Sequence, residues 1–272
     1  MDKSDQCSVI VCSCEAYKDL WYPFFYCLRE NWKDLQYPLI LSTESSRFEM
    51  DGLNIITYSI FEKGKCVPWS ERLIATLNKT SSKYVILLLD DFLLESPVKT
   101  NLIETYIKYL DENDEIASFQ LKYVPNEKKW EIDNGKFRGF SLKTRNAPYL
   151  LCTQASIWRR DLLLKCLRKH ESIWQYEGWG SLRCRRFPFL FYKANTVEAE
   201  PFDYAWGRLV AKGKYYRPDL ERIEKKTGLK FDTKQREVTD FDWFSMPKRT
   251  FKETLKHYVK ISTYLDVVKS LI

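Results

Sequence analysis

The sequence predicts an α/β protein with a mixed, mostly parallel sheet flanked by helices. Three observations point there. Short, largely apolar runs recur at 8–13, 38–42, 53–58 and 84–89, the last of them continuous, the pattern of buried strands. Between them lie stretches with apolar residues at helical spacing, and strands alternating with helices imply a parallel sheet. The chain has 272 residues, 44% apolar and 30% charged, with only 9 glycines and 10 prolines. Those are globular proportions, which exclude a collagen-like or disordered chain.

The elements follow in order. Residues 8–13 form a first strand with a polar end. Residues 17–32 place Leu20, Trp21, Phe24, Phe25, Cys27 and Leu28 at helical spacing, with Pro23 tolerable only near the helix start. Residues 38–42 and 53–58 are the second and third strands. Residues 69–77 predict a helix with Ser70 as its N-terminal cap. Residues 84–89 are a fourth strand, closing abruptly on Asp90-Asp91, and a helix at 99–110 follows Pro97. Further on, 116–123 reads as a strand and the polar 125–148 stretch as a hairpin or loop. Residues 150–156 lead into a helix at 160–168, and 196–198 reads as a short strand.

A final amphipathic helix is expected at 250–271. Lys252, Lys256 and Lys260 lie among its apolar positions, and Lys248 and Arg249 precede it. Such a helix could lie on an anionic membrane leaflet, or pack against the rest of the chain or a second subunit.

Several function classes are excluded. No run of about 18 apolar residues suits a membrane span, and the polar residues 1–6 argue against a secretory signal. A cytoplasmic protein is expected, with the inner face of the plasma membrane open to it through the C-terminal helix. Eight cysteines without a C-x-x-C pair read as reduced thiols. Two histidines in separate segments, His170 and His257, make a His-rich zinc site or a Ser-His-Asp hydrolase hard to build, and His170 reads as part of a solvated turn. The net charge of +7 is dispersed, which argues against nucleic acid as a partner.

In open α/β sheets ligands bind beyond the carboxyl ends of the strands. Two segments satisfy that rule: Ser13-Cys14-Glu15 and Asp90-Asp91. Paired acids at the end of an apolar strand are costly unless compensated. Mg²⁺ or Mn²⁺ shared with substrate phosphates would compensate them. Alternatively, one acid caps the following turn and the other is solvated.

The segment Tyr84-Val-Ile-Leu-Leu-Leu-Asp-Asp-Phe92 resembles the D-x-D region of nucleotide-sugar glycosyltransferases with the GT-A fold. The chain is similar to the inverting, family-2-like enzymes of bacterial polysaccharide and capsule synthesis. The likeness continues through Trp69-Ser-Glu-Arg-Leu73, Gln154-Ala-Ser-Ile-Trp-Arg-Arg160, Trp174-Gln-Tyr-Glu177, Gly180-Ser181 and Gly213-Lys214. It runs from about residue 8 to about residue 216.

The resemblance implies a GT-A-type catalytic domain at 1–240 and a helical tail at 241–272. It implies transfer of a sugar from a nucleotide-diphosphate donor, UDP-linked in most of the family, to a glycan or lipid-linked acceptor. Asp90 and Asp91 would hold Mn²⁺ or Mg²⁺ and the nucleotide ribose. Phe92 stands where the family carries its second aspartate, so basic side chains would share the neutralisation of phosphate. Lys214 is the first choice, then Arg72 or Arg183.

Glu177 is the candidate base. Aromatics and glycines surround it, aromatic faces suit sugar rings, and burial beside them would raise its pKa. Glu171 is the rival, but its basic neighbours suggest solvent. Ser13, Cys14 and Glu15 would meet the nucleotide, with Trp69 and Arg72 bordering the site. Gln154 would line the donor-sugar or acceptor side, as would Trp158 if it is not core.

Two further readings stand beside this one. A non-catalytic nucleotide- or carbohydrate-binding protein would explain Phe92. A nucleotidyltransferase needs a glycine-rich phosphate loop after the first strand, and Ser13-Cys-Glu-Ala-Tyr17 holds no glycine. No P-loop motif occurs either.

Overall fold

The structure, a computed structural model, describes residues 3–124, 128–204, 209–242 and Val268. A short helical turn, α1 (Lys3–Gln6), leads into β1 (Cys7–Cys12). A 3₁₀ stretch and α2 (Trp21–Asn31) carry the chain to β2 (Leu39–Thr43) and β3 (Ile55–Ser59). Then come α3 (Trp69–Lys79), β4 (Tyr84–Leu89), α4 (Thr100–Asp111) and β5 (Ile116–Gln120). A hairpin of β6 (Glu131–Ile132) and β7 (Phe140–Lys143) precedes β8 (Ser156–Arg159) and α5 (Arg160–Cys166). The chain then forms α6 (Ile173–Gln175), a π-helical turn, α7 (Ser181–Cys184) and β9 (Leu190–Ala194). It closes with β10 (Val210–Ala211), β11 (Lys214–Tyr216), α8 (Arg217–Thr227) and β12 (Val238–Thr239).

Nine strands form one sheet in the order β3-β2-β1-β4-β8-β5-β9-β7-β6. The first four positions are parallel; β8 runs antiparallel between β4 and β5. Strand side chains alternate between faces, and β1 shows it. Val9 and Val11 pack with Trp21, Phe25 and Ile103 from α2 and α4. Ile10 and Cys12 pack with Leu73, Leu77 and Leu163 from α3 and α5. The runs are largely apolar because helices cover both faces of the sheet.

Two register facts place the site. Cys12 pairs with Leu89 in the parallel β1–β4 ladder, so Ser13 and Asp90 emerge side by side at the same sheet edge. Leu87 pairs with Ser156 in the antiparallel β4–β8 ladder. The residues just before β8 therefore arrive at that edge too.

Some expectations need correcting. Ser70 is not the helix cap: Pro68 occupies that position, and the Ser70 hydroxyl donates to the carbonyls of Arg168 and Glu171. The expected strand at 196–198 is a 3₁₀ turn, Val197–Ala199. The ladder with β7 ends at Ala194, so these residues have no strand to join. Gly139 makes room there, at φ +82°, where a Cβ would meet Ala199 Cβ at 2.8 Å. Sequence patterning did not reveal β9, α8 or the small sheet β10-β11-β12.

That small sheet and α8 share a third apolar cluster with Leu20, Cys27 and Leu93 of the main body. The expected helix at 250–271 lies outside the described residues, Val268 excepted, and of the expected tail at 241–272 only residues 241, 242 and 268 are described. No helix among the described residues is long and apolar enough to cross a membrane.

Candidate functional site

A cleft of about 1040 Å³ opens beyond the carboxyl ends of β1 and β4. It is lined by Ser13, Cys14, Trp69, Arg72, Asp90, Asp91, Gln154 and Glu177. These eight residues, all singled out from the sequence, thus meet in one place.

Asp90 is 5% exposed and accepts a short hydrogen bond from the Ser13 hydroxyl. Ser13 Oγ in turn accepts the Trp21 indole N–H at 2.6 Å. This chain aims Asp90 from the sheet edge. Burial, with the neighbouring Asp91 charge added, pushes the Asp90 carboxyl well above the ordinary carboxylate range. Burial also raises Asp91, to about 6. Its Oδ1 is buried without a hydrogen-bond partner. The alternative in which one acid caps the turn and the other is solvated does not describe this pair.

The donor set fits a divalent cation in one respect and is incomplete in another. An orphaned, buried carboxylate oxygen beside a second carboxylate suits Mg²⁺ or Mn²⁺. Among the described residues no third His, Cys, Asp or Glu joins them. Substrate phosphates and water would have to supply the other positions, as is usual for Mg²⁺. Phe92, where the resemblance expects an acid, is 1% exposed and stacks on Tyr204 with centroids 4.4 Å apart.

Glu177 sits in the π-helical turn Tyr176–Gly180. Its Oε1 accepts the Thr153 backbone N–H at 2.8 Å and the Thr153 hydroxyl at 2.6 Å. Both bonds go to one oxygen, so the carboxylate is anchored with a defined orientation. Trp174, three residues earlier on α6, is 78% exposed at the cleft. A capping box between Ser172 and Gln175 fixes that short helix.

Arg72 lines the cleft but is engaged: it pairs with Glu44 at 2.8 Å and donates to the Val67 carbonyl. Trp69 is half-buried against Tyr176, with ring centroids 5.0 Å apart. The Cys14 thiol is pushed up to about 11, chiefly by burial, with the Asp90 charge adding to it. It is a neutral lining group at ordinary pH. His170, expected in a solvated turn, is exposed and also borders the cleft.

Four placements differ from expectation. Glu15 turns away from the cleft; its Oε1 collects the backbone and hydroxyl donors of Ser45 and Ser46, at 2.5–3.1 Å. Those bonds, led by Ser45, hold its carboxyl below the ordinary range. It braces the loop after β2. Lys214, exposed on β11, pairs with Glu237 at 2.6 Å. Arg183 is 2% exposed and forms a two-pronged ion pair with Glu171, at 2.7 and 3.0 Å. Glu171, expected in solvent, is 0% exposed. A guanidinium twelve positions along the chain, that of Arg183, pairs with it. Trp158 is core, at 1% exposure.

Sequence reasoning passed over Lys212, Thr153 and Tyr17, all of which line the cleft. Lys212 and Gly213 are the two-residue turn between β10 and β11, both with positive φ, +50° and +80°. That is the geometry of a tight hairpin whose second residue favours glycine. A Lys-Gly pair was the available signal, and the turn brings Lys212 rather than Lys214 to the cleft. Arg236 secures this wall. It donates to the Gly213 and Ala16 carbonyls, pairs with Asp19 at 2.8 Å, and lies over the Tyr17 ring at 4.4 Å.

No family model matches the chain, and no curated protein matches it. Solved structures do. Residues 1–349 of Staphylococcus aureus TarS, in complex with UDP, superpose with a TM-score of 0.50 at 12% identity, covering 98% of this chain and 81% of that one. The fold is GT-A-like. A mannosyltransferase from Pyrobaculum calidifontis, PcManGT, in complex with GDP-Man and Mn²⁺, gives 0.47 at 10% identity over 99% and 74% of the two chains. Drosophila β-1,4-galactosyltransferase 7, with manganese, UDP-Gal and xylobiose, gives 0.41 at 10% identity over 90% and 85%. The match to another TarS structure covers 70% of this chain but only 37% of that one.

Proposed function

We propose that the protein transfers a glycosyl group from a nucleotide-diphosphate sugar, with UDP as the first nucleotide to test, to a hydroxyl of a glycan or lipid-linked acceptor. The transfer inverts the anomeric carbon. One observation carries the reading: the paired acids closing β4 line the same cleft as an oriented carboxylate, Glu177.

In this reading Glu177 takes the proton from the acceptor hydroxyl, whose oxygen attacks the anomeric carbon. The bond from that carbon to the diphosphate oxygen breaks, and the nucleoside diphosphate leaves with the electron pair. A divalent cation on Asp90 and Asp91 would neutralise charge developing on that leaving group. Lys212 adds positive charge from the β10–β11 turn. Ser13 and Cys14 meet the nucleotide at the end of β1, and Trp174 offers a face to a sugar ring.

Glu177→Gln is the direct test. The amide keeps an oxygen for the two Thr153 donors, so the turn holds while the base is lost. Transfer, measured by release of nucleoside diphosphate with acceptor present, should fall about 10²–10⁴-fold. Near-normal transfer would remove Glu177 as base. Asp91→Asn should also lower turnover by orders of magnitude and abolish any Mn²⁺ dependence.

A second reading, a non-catalytic nucleotide- or carbohydrate-binding protein, draws on Phe92 being committed to the core. Calorimetry with nucleoside diphosphates and nucleotide sugars, with and without Mn²⁺, followed by a donor-hydrolysis assay, separates the two. Binding without turnover favours the second. Contact of residues 250–271 with an anionic leaflet belongs to the same proposal, and flotation with anionic and neutral vesicles tests it.

A further inference from the structure

Gln154 lines the cleft and makes one side-chain hydrogen bond: its Oε1 accepts the Tyr204 hydroxyl at 3.0 Å. The same hydroxyl oxygen accepts the Ala155 backbone N–H at 3.2 Å. A phenol has a single hydrogen. With its oxygen receiving Ala155, the Tyr204 proton is directed at Gln154. This fixes which end of the amide faces Tyr204, and leaves the Gln154 amide nitrogen, a two-proton donor, without a partner among the described residues.

Tyr204 itself is held from several sides. It is 3% exposed, and its ring stacks on Phe92 at 4.4 Å and 15°. The Lys122 ammonium lies 4.7 Å from its centroid and is fixed by an ion pair to Glu200 at 2.7 Å. Its backbone bridges to Leu94. Phe92 therefore has a use of its own. Where the resemblance expects an acid, this chain has a ring that seats the tyrosine orienting Gln154.

We propose that Tyr204 is a positioning residue, which locks Gln154 with its amide N–H donors toward the cleft to read an oxygen of the donor's glycosyl group. This rests on the glycosyltransferase reading. The ligand chemistry required is an acceptor oxygen, a hydroxyl or carbonyl on the sugar, rather than a donor group. Tyr204 touches no substrate and acts through Gln154.

The test uses the full chain, Mn²⁺, and a panel of UDP-glucose, UDP-galactose, UDP-N-acetylglucosamine and GDP-mannose. The wild type is scored first for binding and hydrolysis. With the best donor, Tyr204→Phe keeps the stacking on Phe92 but frees the amide. It should lower kcat/KM about tenfold while the affinity for the free nucleoside diphosphate stays unchanged. In a Gln154→Ala background, adding Tyr204→Phe should cost nothing more. Gln154→Glu still accepts from Tyr204 but offers no donor, and should lose as much as Gln154→Ala; it decides the matter if Tyr204→Phe does not fold.

Full kcat/KM in Tyr204→Phe, losses that multiply in the double variant, or normal turnover by Gln154→Glu would each overturn the inference and leave the enzymatic reading standing. Binding without turnover by the wild type overturns the enzymatic reading, and the affinities of the same variants for the sugar nucleotide then judge Gln154. A wild type that binds none of the panel overturns both.

Discussion

Asp91 shows how one side chain can be costly to the fold and useful to the site. Burial raises its carboxyl to about 6, so the folded state holds the proton more tightly than the unfolded chain. The sign follows from proton linkage. Below about pH 4 both states are protonated and there is no penalty. Between about 4 and 6 the unfolded chain ionises first and stability falls, and above about 6 the penalty is complete. Asp91→Asn should therefore gain about 1–3 kcal/mol relative to the wild type at pH 7.5 compared with pH 4. Urea unfolding of metal-free protein at both pH values reads this. An equal difference at the two values would mean that Asp91 is not held protonated by its surroundings. The pair Asp90-Asp91 stood out in sequence because two acids follow six apolar residues. The orphaned Oδ1 did not, since it depends on which neighbours fold around it.

At the scale of elements, a buried ion pair decides which glutamate is available. Arg183 on α7 reaches Glu171 in the loop before α6, and its guanidinium also donates to the Cys166 carbonyl at the end of α5. Three segments are tied through one side chain. Glu171 also offers its backbone carbonyl to Ser70, which connects the tie to α3 and so to Trp69 and Arg72 at the cleft. Removing one partner leaves a buried, uncompensated charge. Arg183→Met should cost about 3–5 kcal/mol, read by chemical denaturation. Replacing both partners with apolar residues of similar volume should cost much less. A loss under 1 kcal/mol for Arg183→Met would mean that Glu171 finds other compensation. Local sequence misled here: Arg168, Lys169 and His170 suggested solvent, but the loop folds inward and Glu171 pairs with Arg183 of α7.

At the scale of the whole molecule, the described residues form a nine-stranded sheet with a small three-stranded sheet closing one wall of the cleft. Its central parallel strands, β1 and β4, are nearly continuous apolar runs, and their burial is mutual. The small sheet has two- and three-residue strands, too short to be stable alone. It is held by the apolar cluster around Tyr215 and Leu220 and by Arg236 bonded to Asp19, Ala16 and Gly213. Arg236→Met should therefore loosen this unit before the rest. Hydrogen exchange at 209–216 should accelerate at least about tenfold while β1 and β4 keep their protection. Uniform acceleration everywhere would show that the two sheets unfold as one unit.

The sequence by itself determined the large sheet's first half and the acids at its edge. Strand period, helix period and an abrupt change from apolar to acidic are local patterns, carried by residues adjacent in the chain. It also placed Ser13, Cys14, Asp90 and Asp91 at the cleft, because strand ends are where an α/β sheet presents side chains to ligands. Tertiary structure alone decided which charges are spent and which face the cleft. Lys214 and Arg183 looked available. Glu15 looked as well placed as Ser13, and Phe92 looked like a missing acid. Each was settled by a partner distant in sequence: Glu237, Glu171, Ser45 and Tyr204. The electrostatic and packing energy of a side chain depends on distance in space, and spacing along the chain does not encode that distance once the fold brings remote segments together.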